Sequence, residues 1–343
     1  MAQAPYSPIR CAVLTGGGDC PGMNAFIRAV VRATLNLSPD STVYGVLDGW
    51  KGLVYNEYRP LGKRDVSGIA MLGGTILGTT RFPELATSRE LQERAARNLE
   101  EQGFDYLFVI GGNGSVKACW ALEQILRREG WRTRILVAPG SIDNDVCNNY
   151  GTSIGFYSAL ERSLEMLSWI RDTASSHRRV YLIRSMGRDS AYLAFYAGII
   201  GGAEYAIRPH EEVDFERLAD IAARRDRDTI IVVSEAYPQS LRQIQQTLED
   251  IFRRRGVERE IRAVDMSYFQ RGGKASVTDI LRASWLGYRM VRDALRGCPS
   301  GFYTAYHIGH VQEPLPLELA ADDARTNHLD IPAEVIEMAL ALR

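Results

Sequence analysis

The sequence predicts an α/β fold of two doubly wound domains with mostly parallel sheets. Short apolar runs alternate with stretches whose apolar residues recur at helical spacing, which is typical of parallel sheets covered by helices on both faces. Glycine-rich and acidic loops follow these runs, at the strand ends where this architecture binds ligands. The 343 residues are 45% hydrophobic, and that length corresponds to roughly two domains.

The predicted strands and helices alternate along most of the chain. The first apolar run, 9–15, stops at Gly16, and apolar residues then recur at helical spacing over 26–37. Later predicted strands are 106–110, 135–138, 180–183, 230–233 and 261–266. The helices predicted after them are 116–128 and about 156–171, followed by helices that begin near 190, 241 and 278. This order predicts repeated strand–loop–helix units.

Composition excludes several classes of function. The net charge is -1, with 41 basic and 42 acidic residues, so no global field favours nucleic acid or a membrane surface. No run reaches the roughly 18 apolar residues of a membrane span, and the N-terminus lacks the apolar stretch of a signal peptide. Five scattered cysteines, never spaced as CxxC, favour reduced thiols over disulfides or zinc. We therefore expect a cytoplasmic protein.

Three glycine-rich loops are candidate phosphate sites. Residues 16–24 and 111–115 each connect a predicted strand to a helix, where backbone N–H groups and the helix N-terminus favour anions. The first loop taken alone is equally consistent with tight-turn geometry. A third glycine pair, Gly73-Gly74, leads to Arg81, whose guanidinium is suited to bidentate contact with a phosphate.

An acidic loop, 139–145, directly follows a predicted strand. In phosphoryl transfer, one aspartate can accept the proton of the attacking hydroxyl while a second carboxylate helps to hold the metal. Asp143 and Asp145 are suited to these tasks. The alternative is an Asx turn with a helix cap.

The ordered motifs resemble those of the phosphofructokinase family. Seven of them occur in the family's order between residues 16 and 273: GGGDCPGMNAFIR, GGTILGTTRFPE, IGGNGS, PGSIDND, RDTASSHRR, MGR and FQRGG. The resemblance implies a divergent ATP-dependent 6-phosphofructokinase-like enzyme of glycolysis. Such a transferase uses Mg²⁺ and moves a phosphoryl group from ATP to the 1-hydroxyl of fructose 6-phosphate, giving fructose 1,6-bisphosphate and ADP.

The resemblance also implies a role for each matching residue. Asp143 matches the catalytic base, Ser141 a hydroxyl near the transferred phosphoryl group, and Arg188 a residue that neutralises transition-state charge. The nucleotide site would comprise Gly18, Arg81, Phe82, Gly112, Asn113, Gly114 and Ser115. Asn113 and Asp145 would bind the metal. The sugar-phosphate site would comprise Arg179, Met186, Gly187, Glu235, Arg262, Tyr268 and Arg271.

The family's architecture implies shared sites and two domains. In the family, the residues that Arg179 and Arg262 match reach in from a neighbouring subunit, so we expect a homotetramer or homodimer. We expect residues 1–155 plus about 270–325 to bind the nucleotide. Residues of about 156–269, with a C-terminal helix over 326–343, would bind the sugar phosphate.

Two residues depart from the family pattern at the expected site. Asn113 stands where the family has an acid that supports magnesium, and an amide oxygen brings no charge to a cation. Tyr268 stands in place of a histidine that binds the sugar phosphate. These changes, together with Ile280 where the family has an arginine, motivate two alternatives. One is a kinase of another sugar phosphate, such as sedoheptulose 7-phosphate or allulose 6-phosphate, and the other is a non-catalytic regulatory or binding paralogue.

The phosphoryl donor can be argued from two small residues. The resemblance favours ATP over pyrophosphate because Gly114 and Gly140 stand where pyrophosphate-dependent members usually have an aspartate and a lysine. The first glycine loop, by contrast, is more similar to that of actinobacterial and pyrophosphate-type relatives. We weight the two glycines more, since they would leave room for the α-phosphate of a nucleotide.

Overall fold

The computed structural model describes residues 6–147, 151–188, 190–224, 228–305, 309, 312–322 and 331–341. They form two compact units. The first contains the described residues of Met1–Ser141, Asp145–Ser158 and Arg271–Thr326, and the second those of Ile142–Asn144, Ala159–Gln270 and Asn327–Arg343. What each unit binds stays a prediction. No helix of the described ranges is long and apolar enough to span a membrane.

Strands and helices alternate along most of the described chain. The strands are β1 Arg10–Gly16, β2 Thr42–Val46, β3 Tyr58–Pro60, β4 Tyr106–Gly111, β5 Arg134–Ser141, β6 Ile154–Gly155, β7 Val180–Ser185, β8 Tyr205–Ile207, β9 Thr229–Ser234, β10 Ile261–Asp265 and β11 Gly301–Phe302. The helices are α1 Met23–Leu37, α2 Trp50–Tyr55, α3 Glu84–Thr87, α4 Arg89–Glu101, α5 Asn113–Arg128, α6 Phe156–His177, α7 Tyr192–Ile200, α8 Phe215–Ala222, α9 Leu241–Arg255, α10 Ser267–Arg271, α11 Val277–Ala294, α12 Leu317–Ala320 and α13 Ala333–Ala341. A short 3-10 helix, Ile69–Met71, lies between α2 and α3.

The sheet of the first unit aligns the carboxyl ends of its central strands. Its order is β11-β5-β4-β1-β2-β3, with β6 added beside β5, and every pair is parallel except β2 with β3. Gly16 at the end of β1 pairs with Gly111 of β4, which in turn pairs with Pro139 of β5. The three loops that follow these strands therefore leave the sheet at one edge.

A buried aspartate anchors helix α11 in the same unit. Asp279 is fully buried, and its Oδ2 accepts hydrogen bonds from Ser158 N at 2.8 Å and Ser158 Oγ at 2.6 Å. Burial raises the pKa of Asp279 above its usual range, although the bonds from Ser158 act in the opposite direction. Gly22 precedes α1 with φ 108°, and a side chain there would meet Ile154 and Asp279. The starts of α1 and α11 are thus fixed together.

The sheet of the second unit is entirely parallel, in the order β10-β7-β9-β8. Ser185, the last residue of β7, pairs with Ser234, the last residue of β9. The segments that begin at Met186 and Glu235 therefore leave adjacent strands at the same end. The prediction of an α/β fold with mostly parallel sheets is confirmed.

Some predicted boundaries differ from the structure. Helix α6 extends to His177 instead of ending near 171, and α7 begins at Tyr192 instead of 190. The C-terminal helix predicted for 326–343 begins only at Ala333. Pro332 stands immediately before it, where a missing N–H and a fixed φ suit a helix start. Residues 323–330 and 342–343 lie outside the described residues.

Candidate active site

Glycines allow the ends of β1 and β4 to meet around one serine. Ser115 is 2% exposed, and its Oγ accepts a hydrogen bond from Trp50 Nε1 at 3.1 Å. A Cβ at Gly16 or at Gly111 would come within 2.4 Å of that Oγ. The hydroxyl group of the predicted nucleotide-site residue Ser115 therefore packs closely against the ends of both strands.

The first turn of α5 is an open, positively polarised helix end. Gly112 is its N-cap residue, and Asn113, Gly114 and Ser115 form the first turn. Ser115 N donates to the Gly112 carbonyl oxygen at 2.9 Å, whereas Asn113 and Gly114 precede the first hydrogen bond of the helix, where N–H groups have no intrahelical partner. Gly114 is exposed, and a Cβ there would meet no atom within 4 Å. This helix end is suited to bind the anionic groups of a phosphate ligand.

Packing against β4 explains the glycine at position 140 without any ligand. A Cβ at this position would come within 2.7 Å of Ile110 Cγ1 on β4 and within 3.3 Å of Gly111 N. Packing between β4 and β5 thus requires glycine whatever the ligand. Of the two glycines that favour a nucleotide donor, only Gly114 borders open space.

Asn113 is joined to the acidic loop. Its Nδ2 donates to Asp145 Oδ2 at 2.9 Å and lies 3.3 Å from the Asp145 carbonyl oxygen. Ser141 Oγ donates to Asp145 Oδ1 at 3.3 Å. Asn113 Oδ1 is buried and has no hydrogen-bond partner among the described residues. The predicted residues Ser141, Asn113 and Asp145 are therefore neighbours in the first unit.

This donor set fits a magnesium ion that is held mainly by its substrate. No group of three or more His, Cys, Asp or Glu residues suited to a metal occurs within the described part of the chain. Mg²⁺ in kinases is commonly held by one or two carboxylates together with substrate phosphates. Asp145 could supply one carboxylate, and the buried Asn113 Oδ1 could supply a second oxygen without charge.

Arg271 approaches the first glycine loop. A Cβ at Gly18 would come within 2.5 Å of Arg271 Nη1, which also lies 3.5 Å from the Asp19 carbonyl oxygen. A side chain at position 18 would have to displace this guanidinium from its place beside the loop. The predicted nucleotide residue Gly18 and the predicted sugar-phosphate residue Arg271 therefore lie side by side.

The third glycine-rich segment ends at Arg81 and Phe82. Thr79 Oγ1 donates to the Gly17 carbonyl oxygen at 2.8 Å, which ties this segment to the first loop. Arg81 is exposed, and the ring of Phe82 lies edge-on to Tyr55 with 6.4 Å between centroids. The side chain of Arg81 is thus accessible to a ligand.

Asp143 is buried, with 6% of its surface exposed, in the loop that follows β5. No helix begins within residues 142–147, so the helix-cap alternative for the acidic loop does not hold there. Asn144, the next residue, has φ 55°, which is uncommon outside glycine. A buried carboxylate beside a strained backbone is typical of a functional position.

In the second unit, the loop at 186–188 is held by the carboxylate of Glu235. Glu235 Oε1 accepts hydrogen bonds from Gly187 N at 3.0 Å and Arg188 N at 2.6 Å. The φ angles are 141° at Gly187 and 49° at Arg188, so both lie in the region that favours glycine. The Arg188 side chain is exposed. The predicted site residues Met186, Gly187, Arg188 and Glu235 are thus brought together.

The remaining predicted sugar-phosphate residues are more exposed. Glu260 forms ion pairs with both Arg179 and Arg262. Burial lowers the pKa of Arg179, but its bond to Glu260 and that residue's charge raise it to a net value above the ordinary one. Tyr268 on α10 is 84% exposed. These arginines present their charge at the surface of the unit.

Comparisons with known proteins identify the family. A sequence profile described as Phosphofructokinase matches residues 10–294. The chain belongs to the phosphofructokinase family. An ATP-dependent 6-phosphofructokinase of Hamiltonella defensa is 39% identical over 284 residues, which cover 81% of this chain and 82% of that protein. ATP-dependent 6-phosphofructokinase 1 of Thermus thermophilus is 38% identical over 320 residues, covering 91% of this chain and 94% of that protein.

A solved structure gives the same result for the fold. The phosphofructokinase of Saccharomyces cerevisiae superposes with a TM-score of 0.77 at 30% identity over 91% of this chain. This chain spans 45% of the length of that yeast chain.

Two residues of this family member were not predicted from sequence. Trp50 donates a hydrogen bond to Ser115. The fully buried Gln270 accepts a hydrogen bond from Met186 N and donates to the hydroxyl groups of Ser163 and Ser185. The available signal for Gln270 was its place inside the FQRGG motif. No local pattern indicates that an amide there reaches residues 84 or 107 positions away.

Proposed function

We propose that this chain is an ATP-dependent 6-phosphofructokinase. The proposal rests first on its relatives, two of which carry that name at 38–39% identity over 81–91% of this chain. The structural observation that carries it is the contact of Asn113 with Asp145 at the start of α5. A carboxylate beside a glycine-opened helix end is suited to a phosphate–cation pair.

The first unit would bind the nucleotide. The N–H groups of the first turn of α5 and the Arg81 guanidinium supply positive charge for the phosphates, and the open space at Gly114 favours a nucleotide over pyrophosphate. Arg271 adds a further guanidinium beside Gly18. Asp145 and Asn113 would hold Mg²⁺, which neutralises charge on the transferred phosphoryl group when it is bound.

The acceptor chemistry would fall to Asp143 and Arg188. The Asp143 carboxylate accepts the proton of the sugar 1-hydroxyl as its oxygen bonds to the γ-phosphorus of ATP. The bond from that phosphorus to the β-phosphate oxygen breaks, and ADP leaves with the electron pair. Arg188 stabilises the negative charge on the transferred group, and the Ser141 hydroxyl contacts it. Glu235, Met186 and Gly187 orient the sugar.

The sugar's own phosphate would be bound by arginines. Arg262 and Tyr268 are exposed, and Arg179, which is partly buried, shares Glu260 with Arg262. These features support a homo-oligomer in which the two arginines serve a neighbouring copy's site. The five cysteines are scattered along the sequence and never spaced as CxxC, which supports a cytoplasmic location.

A second candidate is the same reaction on another sugar phosphate. The observation that favours it is Tyr268, whose phenol brings one neutral hydroxyl group where the family has a histidine. Sedoheptulose 7-phosphate and allulose 6-phosphate are the acceptors to compare.

The test is an initial-rate assay of the purified chain with a matrix of donors and acceptors. ATP or pyrophosphate is combined with fructose 6-phosphate, sedoheptulose 7-phosphate or allulose 6-phosphate in the presence of Mg²⁺. We expect the highest kcat/KM with ATP and fructose 6-phosphate, at a kcat of about 1–100 s⁻¹. A higher kcat/KM with another acceptor selects the second candidate. Nucleotide binding without any turnover would instead indicate a non-catalytic paralogue.

A further inference from the structure

Gln270 is a fully buried polar residue of the second unit, in contact with the loop at 186–188. It lies on α10, and its exposed fraction is 0%. Gln270 Oε1 accepts a hydrogen bond from Met186 N at 2.7 Å. Its Nε2 donates to Ser163 Oγ at 2.7 Å and to Ser185 Oγ at 2.9 Å. One amide thus links α6, the end of β7 and the loop that follows β7.

The two serines fix which way the amide points. Ser163 Oγ donates its proton to the Ala159 carbonyl oxygen at 2.7 Å, and Ser185 Oγ donates to the Met186 carbonyl oxygen at 3.2 Å. Both hydroxyl oxygens therefore have only acceptor capacity left for Gln270. The NH₂ group must face the serines, and the carbonyl oxygen must face the Met186 amide. A carboxylate or a methionine at 270 cannot satisfy both sides.

Three consecutive backbone N–H groups of the loop donate hydrogen bonds to side-chain oxygens. Met186 N is bound by Gln270, and Gly187 N and Arg188 N are bound by Glu235. Two of these residues have positive φ. A backbone in sparsely populated conformations persists only when its surroundings determine it. The two side chains supply that constraint from opposite ends of the loop.

We propose that Gln270 is a positioning residue for phosphoryl transfer, which sets the backbone from which the Arg188 guanidinium extends. The proposal rests on the proposed function, because Arg188 is taken to stabilise the transferred group. Because Gln270 is fully buried, it acts through the loop and not through direct contact with solvent or ligand. Tyr268 lies on the same helix, α10, as Gln270. The Gln270 amide therefore also connects the helix that carries Tyr268 to the loop that carries Arg188.

The experiment compares Gln270→Met with Ser163→Ala. The first variant removes the acceptor for Met186 N, whereas the second removes only one partner of Nε2 and leaves that acceptor in place. We expect Gln270→Met to lower kcat by about 10- to 100-fold, since small displacements of catalytic groups have effects of this size. We expect its KM for ATP to stay unchanged. Ser163→Ala should lower Tm but keep kcat within about 2-fold, because the loop keeps its acceptor.

A conservative variant and hydrogen exchange complete the test. Gln270→Glu keeps an oxygen for Met186 N, so it should recover part of the kcat lost in Gln270→Met at a similar Tm. Amide exchange at 186–188 should be faster in Gln270→Met than in Ser163→Ala. Equal losses of kcat in Gln270→Met and Ser163→Ala at equal Tm, or wild-type kcat and wild-type exchange in Gln270→Met, would overturn the proposal.

The same measurements separate the two proposals. A wild-type chain that turns over no sugar phosphate contradicts the proposed function. The exchange of residues 186–188 still reports whether Gln270 holds the loop. Should Gln270→Met fail to fold, Gln270→Glu is compared with Ser163→Ala instead. Gln270→Glu loses the Nε2 donor that fixes the position of the Met186 N acceptor, so we expect its kcat to be lower than that of Ser163→Ala. Equal kcat in these two variants would overturn the proposal.

Discussion

In the first unit, glycines allow the loops to approach closely because they lack side chains, whereas in the second unit a loop is held by hydrogen bonds to side chains. At the ends of β1 and β4, Gly16 and Gly111 make room for the Ser115 hydroxyl. At the end of β7, three backbone amides are bound by Gln270 and Glu235. The first arrangement depends on the absence of Cβ atoms, and the second on acceptors distant in sequence.

This difference teaches where each site is sensitive to substitution. A loop built from glycines is sensitive to an added side chain, because the extra volume disturbs packing even where the catalytic groups are unchanged. A loop held by buried acceptors responds to the loss of a single polar atom, which leaves amides unsatisfied and the backbone free to move. Substitutions in each unit can therefore break or sharpen the comparison.

The largest effect is expected at Asp143. Asp143→Asn removes the proposed base, so we expect kcat to fall by about 10²- to 10⁴-fold, the usual contribution of a general base. Asp250→Asn, at an exposed residue of α9, is the matched control and should keep the wild-type rate. Steady-state kinetics with ATP and fructose 6-phosphate measure both. Full activity in Asp143→Asn would remove Asp143 from the mechanism.

Arg188 allows activity to be separated from stability. Because its φ is 49°, Arg188→Gly relieves the backbone strain and should fold at least as stably as the wild type. We expect kcat to fall by about 10²- to 10³-fold, since lost stabilisation of transition-state charge costs about 2.7–4 kcal/mol. Thermal melting and kcat are measured on the same sample. A loss of stability without a loss of kcat would place the role of Arg188 in the fold.

Asn113 tests the metal side of the first unit. Asn113→Asp replaces the Nδ2 donor to Asp145 with a like charge, so the metal-free protein should lose roughly 1–4 kcal/mol of stability. Mg²⁺ should then raise the Tm of the variant more than that of the wild type, because binding to the folded state stabilises it. A titration against NaCl of equal ionic strength is the control. Equal Mg²⁺ shifts in both proteins would contradict the placement of the ion here.

Two glycines of the first unit should respond in opposite ways. Gly140→Ala places a methyl group against Ile110 and should cost about 1–3 kcal/mol in the free energy of unfolding. Gly114→Ala adds a methyl group to open space on a helix, so its stability should change by less than about 1 kcal/mol. Urea unfolding measures both changes. If Gly114 borders the donor, its variant should instead raise the KM for ATP.

The fold could be predicted from the sequence where local patterns are strong. Buried runs such as β1, β4 and β9 are apolar over most of their length, and their strand assignment is confirmed. Short elements were not predicted, among them β3 and β6, because two or three residues carry no readable period. The C-terminal helix that the resemblance implies over 326–343 begins at Ala333, directly after Pro332, in the described residues.

The site could be predicted only in part. Family motifs indicated the residues of the loops, but the reason for Gly140 lies in its packing against β4, and the partner of Arg271 lies 252 positions away in the chain. The FQRGG motif contains Gln270 but does not indicate its role, because its three partners come from α6, β7 and the loop after it. Such contacts follow from tertiary structure alone.

The most direct test of the proposed activity is ³¹P NMR of the purified chain with ATP, Mg²⁺ and fructose 6-phosphate. We expect the ATP γ resonance to be replaced by a new phosphomonoester at the 1-position of fructose 1,6-bisphosphate, with an equal amount of ADP. Omission of the sugar phosphate should stop ADP formation. Release of inorganic phosphate with no sugar bisphosphate, or phosphorylation at another position, would contradict the proposed activity.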